Sequence, residues 1–287
     1  MFPVVRMCQV LNVSPSGYYA WRERPVSKRE MANQELVEKI KEIHTENRKV
    51  YGSPRLYKAL LALGWKVSKN RVARLMRENG IRAKQTKRFK TTTKANAAHP
   101  VAPNLLDGDF AADQPNRKWV TDITYILTLE GWLYLACVMD LFSRRIVGWA
   151  MSARMTSSLV MDALSMAVRQ RQPAPDLLHH SDRGSQYTGH PYQQLLKGYR
   201  MRISMSGTDN CYDNAAMESF FSILKNEQVY HCVYRTRDEA RTDLFFYIEA
   251  FYNRRRLHST LGYLSPDAYE KAYHQQCESA LTGCPQN

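Results

Sequence analysis

Three carboxylic acids lie in sequence contexts where an acid is not expected. Asp122 lies in the middle of a predicted strand, between Thr121 and Ile123, where strand propensity disfavours it. Asp182 follows a short apolar strand, at the carboxyl-terminal edge where ligand-binding groups gather in α/β sheets. Glu218 lies on a predicted helix whose apolar face should pack on the sheet. A carboxylate beside such a face is costly unless something neutralises it.

Two hard divalent cations would neutralise these acids. Mg²⁺ prefers carboxylate oxygens and water and takes few protein ligands. Two such ions, about 3.5–4 Å apart, activate an attacking oxygen and stabilise a leaving oxygen in phosphodiester chemistry. The pattern therefore predicts a site for two Mg²⁺ ions, with Mn²⁺ as a substitute, in which Asp122 bridges both, Asp182 binds one and Glu218 the other. Taken singly, each acid would be interpreted as a structural or surface group.

Other polar residues surround these acids in the sequence. Lys225 lies seven residues after Glu218, about two helical turns, so both side chains point the same way and the lysine could hold a DNA end. The alternative is a solvated lysine. Tyr187 and Gln186 are candidates for contact with a DNA end. His258 and the arginines before it could bind phosphate or pack the C-terminal segment against the core.

The alternation of apolar residues predicts the elements that position these acids. Three strands close together in sequence favour an antiparallel meander, and the later pattern of helix, strand, helix, strand and helix indicates an α/β layer design. The predicted strands are Trp119–Tyr125, Trp132–Met139, Arg145–Ala150, Leu177–His180 and Met201–Ser204, and the predicted helices of this region include Ser157–Arg169, Pro191–Gly198, Ala215–Gln228 and Arg237–Arg254.

The pattern of the first 81 residues predicts a small all-α domain. Ser16 is the predicted cap of a short helix, and residues 30–47 have helical periodicity. Ser53 is the predicted cap of a further helix, with Pro54 at its first position, and Ser68 starts another helix after a glycine-containing turn. This arrangement is typical of a helix-turn-helix whose second helix enters a major groove; the alternative is a helical hairpin with a solvated basic face. The predicted DNA-contacting residues of that helix are Lys69, Asn70, Arg71, Arg74 and Arg77.

The positive charge of the chain is concentrated near its N-terminus. Of a net charge of +14, residues 1–100 hold 22 Lys and Arg against 7 Asp and Glu, and residues 101–287 hold 19 against 20. A concentrated basic segment indicates binding to nucleic-acid phosphates. Residues 82–114 form a predicted basic linker, in which Lys87, Arg88 and Lys90 are further predicted DNA contacts.

The remaining composition sets the domain plan and the compartment. We expect a helical region at 1–81, the linker at 82–114, a catalytic core with C-terminal helices at 115–275 and a flexible tail at 276–287. No apolar run approaches the ~18–20 residues of a membrane span, and no signal peptide is recognisable. A cytoplasmic protein, nucleoid-associated when bound to DNA, is expected, and its six scattered cysteines are expected to be free thiols.

The three acidic motifs resemble a known signature. Asp122 in WVTDIT, Asp182 in HSDRGSQY and Glu218 in DNAAMESFFSILK, with 35 residues between Asp182 and Glu218, resemble the D-D-(35)-E pattern, and YNRRRLHSTLG from Tyr252 resembles a C-terminal motif of the same family. The chain therefore resembles the second-frame protein of insertion-sequence transposases of the IS-three family, related to retroviral integrases.

That resemblance implies an α/β, ribonuclease H-like core with a mixed five-stranded sheet flanked by helices. It implies Mg²⁺-dependent cleavage at the ends of the element, followed by attack of the freed 3′-hydroxyl on another phosphodiester. It also implies a homo-oligomer, at least a dimer, because two element ends must be brought together. An upstream-frame protein, joined by frameshifting, is implied as a partner, since this sequence has no heptad run long enough for a coiled coil.

Two alternatives share these features. A nuclease on the same fold would hydrolyse DNA without joining it, and a DNA-binding regulator would have an inactive core. The basic N-terminal region and the C-terminal motif favour transposition, and all three acids are present.

Overall fold

The computed structural model describes residues 3–84, 102–207 and 214–282. The chain divides into two compact units, the first comprising residues 1–46 and 52–82 and the second residues 47–51 and 83–287. The finer boundaries at 81, 114 and 275 stay predictions. Part of the predicted linker, residues 85–101, and part of the predicted tail, residues 283–287, lie outside the described residues.

The first unit is entirely helical in its described part. The longest helix buries Leu36, Ile40 and Ile43 at helical spacing, as the apolar periodicity predicted. The two helices of the predicted helix-turn-helix follow, and Gly64 between them adopts φ +82°, a conformation that favours glycine. The five helices are α1 (Val4–Val10), α2 (Pro15–Arg22), α3 (Lys28–Glu46), α4 (Ser53–Ala62) and α5 (Lys69–Glu78).

The helix caps of this unit only partly match the predictions. Ser68 caps α5, its hydroxyl accepting a hydrogen bond from the Arg71 amide at 3.2 Å. The prediction for α2 is wrong: Ser14, not Ser16, accepts the Gly17 amide, because the chain becomes helical already at Pro15. Ser53 is likewise the first residue of α4 and not its cap.

The second unit contains one mixed sheet of five strands in the order β3-β2-β1-β4-β5. The first three strands form the predicted antiparallel meander, and β4 and β5 run parallel to β1. The parallel pairing of β1 with β4 covers only Lys118 to Val120. The strands are β1 (Lys118–Thr128), β2 (Gly131–Asp140), β3 (Ile146–Ser152), β4 (Leu178–Ser181) and β5 (Arg202–Met205).

One face of the sheet is covered by α6 (Ser157–Arg171), α7 (Ser185–Thr188) and α8 (His190–Gly198). Trp119 of β1 and Val147 of β3 are fully buried in this core. The approach of α6 to β3 is close at Gly148, where a side-chain carbon would meet the backbone of α6. Glycine at this position lets the helix and the strand pack directly on each other.

The alternate residues of the central strands point to the opposite face and are also buried, among them Val120 and Leu135. α9 (Ala215–Glu227) and α10 (Arg237–Phe245) contact these strands. The single helix predicted for Arg237–Arg254 is wrong in its second half. From Phe246 to Tyr252 the chain forms a π-helix, with i→i+5 hydrogen bonds, before turning at Asn253.

The last helix, α11 (Pro266–Thr282), is held by a buried ionic cluster. Glu270 accepts two hydrogen bonds from the guanidinium of Arg171, at 2.8 and 2.9 Å, and one from the Ser143 hydroxyl at 2.6 Å. Asp267 accepts a further hydrogen bond from Arg145. Paired charges of this kind fix the helix against the β2–β3 turn and the end of α6.

The four cysteines within the described residues, Cys8, Cys137, Cys232 and Cys277, are free thiols, as expected. No helix in the described part of the chain is long and apolar enough to cross a membrane.

Candidate active site

Strand pairing brings the two aspartates together. Val120 of β1 is paired with His180 of β4, and the same register continued by two residues sets Asp182 beside Asp122. Asp182 lies just past the end of β4 at Ser181, where the chain leaves the sheet. The shortness of β4 therefore creates an opening at the edge of β1, and both acids lie at it.

Each aspartate is held in place by a backbone amide. Oδ1 of Asp122 accepts a hydrogen bond from the Ile123 amide at 2.7 Å, and Oδ1 of Asp182 accepts one from the Gly184 amide at 2.9 Å. The second contact is an Asx-turn, which explains why Gly184 follows Asp182 closely. Within the described chain no side chain donates a hydrogen bond to either carboxylate, so each retains oxygen lone pairs for another partner.

The electrostatic environment disfavours two negative charges at this position. Burial, together with the charges of Asp182 and Glu218, raises the pKa of Asp122 from 3.8 to about 8, against the opposing effects of the Ile123 amide and of Lys225. Burial also raises the pKa of Asp182. Acids held side by side away from water gain most from a cation, which would stabilise the ionised form of both.

Glu218 lies in the first turn of α9, where the helix dipole favours an acid. The Asn214 side-chain amide donates to the Thr121 carbonyl at 3.2 Å and thereby ties the start of α9 to β1 beside Asp122. Met217 and Phe220 are buried, whereas Glu218 itself is exposed. Among the described residues no group of three or more His, Cys, Asp or Glu side chains is arranged to hold a metal ion. The structure thus joins Asp122 and Asp182, and Glu218 acts on Asp122 through its charge without completing a ligand group in the described part of the chain.

Lys225 lies on the same side of α9 as Glu218, two turns along. It is half-buried, and its Nζ lies 4.6 Å from the centroid of the Tyr125 ring on β1. Burial lowers the pKa of Lys225, and the charge of Asp122 opposes that shift. The lysine is therefore the cation that borders the aspartate pair.

A buried polar layer supports the aspartates from behind, and the sequence did not reveal it. Tyr187, proposed as a DNA contact, is 1% exposed, so that prediction is wrong for the structure described. Its hydroxyl lies 3.4 Å from Thr121 Oγ1, which donates to the Cys137 carbonyl, and its ring packs edge-on against Tyr192. No local signal marked this burial, because the residues of α7 and α8 around Tyr187 are mostly polar.

His180 stabilises the loop that carries Asp182. Its Nδ1 lies 2.8 Å from Ser204 Oγ and its Nε2 lies 3.2 Å from Ser206 Oγ. Arg183 then bonds through Nε to the Ser206 carbonyl at 2.6 Å. These contacts link the end of β4 to the end of β5, so His180 has a structural role.

Known families and relatives match this chain over nearly its whole length. Integrase core domain families match residues 112–211 and 218–273, and an HTH-like domain family matches residues 31–89. An insertion element IS600 protein of 31 kDa from Shigella sonnei is 47% identical over 269 residues, which are 94% of this chain and 99% of that protein. Transposase InsF for insertion sequence IS3A from Escherichia coli K12 is 43% identical over 271 residues, 94% of each chain.

The chain belongs to the IS3-family transposases. The integrase core match and the mixed five-stranded sheet confirm the predicted ribonuclease H-like fold. The two kinds of domain identify DNA as the partner of this transposase.

Solved structures of viral integrases are also similar to the chain. The HTLV-2 integrase catalytic core domain, solved in complex with magnesium, aligns with a TM-score of 0.43 and 17% identity over 55% of this chain and 98% of that one. The BIV integrase catalytic core domain aligns with a TM-score of 0.42 and 16% identity over 56% of this chain and 98% of that one.

The second helix of the helix-turn-helix, α5, presents only part of its predicted basic set. Lys69, Asn70 and Arg77 are exposed. Arg71 donates to Oδ1 of the buried Asn33 from Nε at 3.0 Å and from Nη2 at 2.8 Å, so its guanidinium supports the packing of α5 on α3. Arg74 is half-buried and forms an ion pair with Glu78 at 3.0 Å. The remaining predicted contacts, Lys87, Arg88 and Lys90, lie outside the described residues.

One arginine of the C-terminal motif, Arg256, has a structural role. Arg256 is buried and forms two hydrogen bonds to Glu227 at the end of α9, at 2.8 and 2.7 Å. The Tyr247 hydroxyl donates to the same carboxylate at 2.8 Å, and His258 contacts Arg256 at 3.3 Å. Of the two predicted roles, packing against the core is confirmed for Arg256 and His258, whereas Arg254 and Arg255 are exposed. The packing of Arg256 fixes the C-terminal end of the helix that carries Glu218 and Lys225.

Proposed function

We propose that this transposase cuts a phosphodiester bond at each end of its element and joins the freed 3′-hydroxyl to target DNA, with Asp122, Asp182 and Glu218 as its catalytic acids. In the cut, water adds to phosphorus, the bond to the 3′ oxygen breaks, and that oxygen leaves as a hydroxyl. In the joining step the hydroxyl loses its proton, its oxygen bonds to a target phosphorus, and the target 3′ oxygen leaves and is protonated.

The observation that carries this proposal is the aspartate pair. Two neighbouring acids at the end of β4 keep raised pKa values and share an environment without a donating side chain in the described chain. Such an arrangement opposes folding unless it serves a ligand, and perturbed acids of this kind cluster at functional sites.

The donor set fits Mg²⁺. Asp122 and Asp182 supply hard oxygen ligands with open lone pairs, and Glu218 is the third acid nearby. Two bound Mg²⁺ ions, or Mn²⁺ in their place, would supply Lewis-acid stabilisation of the attacking and leaving oxygens. Asp122, Asp182 and Glu218 would be the residues that hold these ions.

The other residues of the site hold the acids and the DNA. The amides of Ile123 and Gly184 orient the two aspartates, and the Asn214 amide holds α9 against β1. Lys225, whose ammonium group borders Asp122, would bind a phosphate of the DNA end. Lys69, Asn70 and Arg77 on α5 would contact the duplex, and the two charged residues, Lys69 and Arg77, would carry much of the salt-dependent affinity.

Asp122→Asn tests the proposal directly. With end-labelled DNA carrying the terminal repeats of the element and Mg²⁺, the wild type should give nicked and joined products. The variant should lose both by at least about a hundredfold, since one neutralised ligand removes a charge that the metals require. DNA binding should stay within about twofold, because the fold and α5 are unchanged. The matched control is Asp162→Asn on α6, an exposed aspartate, which should cut and join as the wild type does.

The other possible results of this cutting and joining assay identify different functions. Hydrolysis without joined products would identify a nuclease, and binding without cutting by the wild type would identify a regulator. Cutting retained by Asp122→Asn would overturn the assignment of the acids.

We also propose the partners that transposition requires. Two element ends must meet, so the transposase acts as a homo-oligomer, at least a dimer, on DNA. An upstream-frame protein fused by frameshifting would add end recognition, as the family resemblance suggests.

A further inference from the structure

The β1–β2 hairpin carries an exposed aromatic pair near its turn. Tyr125 and Trp132 are 46% and 45% exposed, and their ring centroids lie 5.1 Å apart at an interplanar angle of 85°. Both belong to the second unit, but neither belongs to its buried core. Aromatic side chains left half in water on a rigid strand indicate a contact surface, because burying them inside would stabilise the fold more.

The aromatic pair borders the aspartate site. Tyr125 lies three residues after Asp122 on the same strand, about 10 Å along it, so the two side chains leave opposite faces of the sheet. Lys225 connects the two positions, since its Nζ lies over the Tyr125 ring at 4.6 Å while its charge acts on Asp122. A DNA strand that lies along the open edge of β1 would therefore meet the aspartates and then the rings, with a cation between them.

Hydrogen bonds hold the backbone of the hairpin that carries the two rings. Arg237, at the start of α10, donates from Nε to the Trp132 carbonyl at 3.0 Å and from Nη2 to the Glu130 carbonyl at 2.7 Å. Its own amide donates to the Glu130 carboxylate at 2.8 Å. The hairpin that carries Trp132 is thus fixed before any partner binds, which lowers the entropic cost of binding.

We propose that Tyr125 and Trp132 stack against an unpaired base of the DNA strand at the active site, with Lys225 binding the phosphate next to that base. This inference rests on the proposed function. In a duplex the bases stack on one another and present only their edges, so an aromatic face contacts a base only when that base is unpaired. Stacking of this kind tolerates any sequence, since every base has a π-face.

The charge of Lys225 favours a nucleotide over a protein surface as the partner of the aromatic pair. A nucleotide brings both a ring for the aromatic pair and a phosphate for Lys225, whereas an apolar protein surface would bring no anionic group to the lysine. The proposed site therefore consists of Tyr125, Trp132 and Lys225 and takes a single-stranded nucleotide.

The test measures binding without catalysis, so it stands apart from the cutting assay. The probe is a DNA duplex with two unpaired nucleotides at one end, one of them 2-aminopurine, and a fully paired duplex of the same length, both in EDTA. Wild type should prefer the forked DNA and quench the 2-aminopurine fluorescence. Tyr125→Leu and Trp132→Leu should each weaken binding of the forked DNA by about 5- to 150-fold and restore fluorescence, with the paired duplex unaffected.

Controls separate stacking from folding. Phe246→Leu changes another exposed edge-to-face pair, Phe245 and Phe246, whose rings lie 5.3 Å apart, and it should leave forked binding unchanged. Tyr125→Phe keeps the ring and should bind as the wild type does. If Tyr125→Leu fails to fold, as judged by its thermal midpoint, Trp132→Leu and Tyr125→Phe still decide the question.

Three results would overturn the inference. These are unchanged fluorescence quenching in both leucine variants, equal losses on forked and paired DNA, or a shift in sedimentation showing that the rings join two copies of the chain. None of these would affect the cutting assay with Asp122→Asn, so the two proposals fail separately.

Discussion

Because β3 packs closely on α6, replacing Gly148 by alanine should have a large effect on the stability of the fold. A Cβ at Gly148 would lie 2.7 Å from both the Cβ and the amide nitrogen of Ala167, and it would also contact the Ala163 carbonyl oxygen. Ordinary contacts begin at 3.4 Å, so α6 must move by about 0.7 Å or more along much of its length. Two of the three atoms are backbone and cannot rotate away.

The cost follows from this displacement. Overpacking of a close-packed interior costs about 1–3 kcal/mol, and the backbone contacts put Gly148→Ala at the upper end. With a urea m-value of about 2–3 kcal/mol/M, the unfolding midpoint should fall by about 1 M. Chemical denaturation followed by tryptophan fluorescence would measure this, since the buried Trp119 reports on the same core.

The matched control is another glycine-to-alanine change in the same unit. Gly198 ends α8, and a Cβ there would meet nothing within 4 Å. Gly198→Ala should be neutral or stabilise the fold by less than about 1 kcal/mol, because it only restricts the unfolded chain. Equal midpoints for the two variants would refute the argument from close packing.

Two further predictions concern the charges of the site and of α5. Without metal, folded Asp122 keeps its proton up to a pKa of about 8 while the unfolded chain loses it near 3.8, so stability should fall as pH rises from about 4 to about 8. Asp122→Asn should flatten this decline in urea titrations in EDTA at pH 5 and pH 8, and an unchanged decline would contradict the raised pKa. Arg77→Ala should weaken DNA binding and reduce the slope of log affinity against log salt by about 0.9. Arg71→Ala should instead lower the thermal midpoint, because it removes the hydrogen bonds to Asn33. If Arg71→Ala reduced the salt slope and Arg77→Ala lowered the thermal midpoint, the assignment of Arg77 to DNA contact and of Arg71 to packing would be refuted.

The sheet and its central acid were predictable because their signals are local. Alternation in β1 and β2 set both strands and their antiparallel pairing, and Asp122 stood out as a charge within that alternation. Ser68 was predictable as a cap for the same reason, since it precedes a strongly periodic helix. Signals of this kind depend only on neighbours in sequence.

What could not be predicted depends on contacts distant in sequence. The burial of Tyr187 results from α7 and α8 closing over Thr121, 66 residues earlier. The hydrogen bonds from Arg71 to Asn33 join residues that are 38 apart in sequence, and nothing in the sequence near Arg71 distinguishes it from Arg77. The π-helix from Phe246 likewise has no local signal. Periodicity shows which face of a helix is apolar, but not which charged residue on the other face has a partner.

The shortness of β4 has a consequence for solubility. Beyond Val120, the edge of β1 on the side of β4 has no strand partner as far as Thr128, where a bridge to Tyr234 forms, in the described part of the chain. An open strand edge invites pairing with another molecule and hence aggregation, and a charge on that edge is a common protection. Asp122 and Lys225 provide that protection at the most open point. The same gap that we propose takes a DNA strand is thus kept from accepting a protein strand.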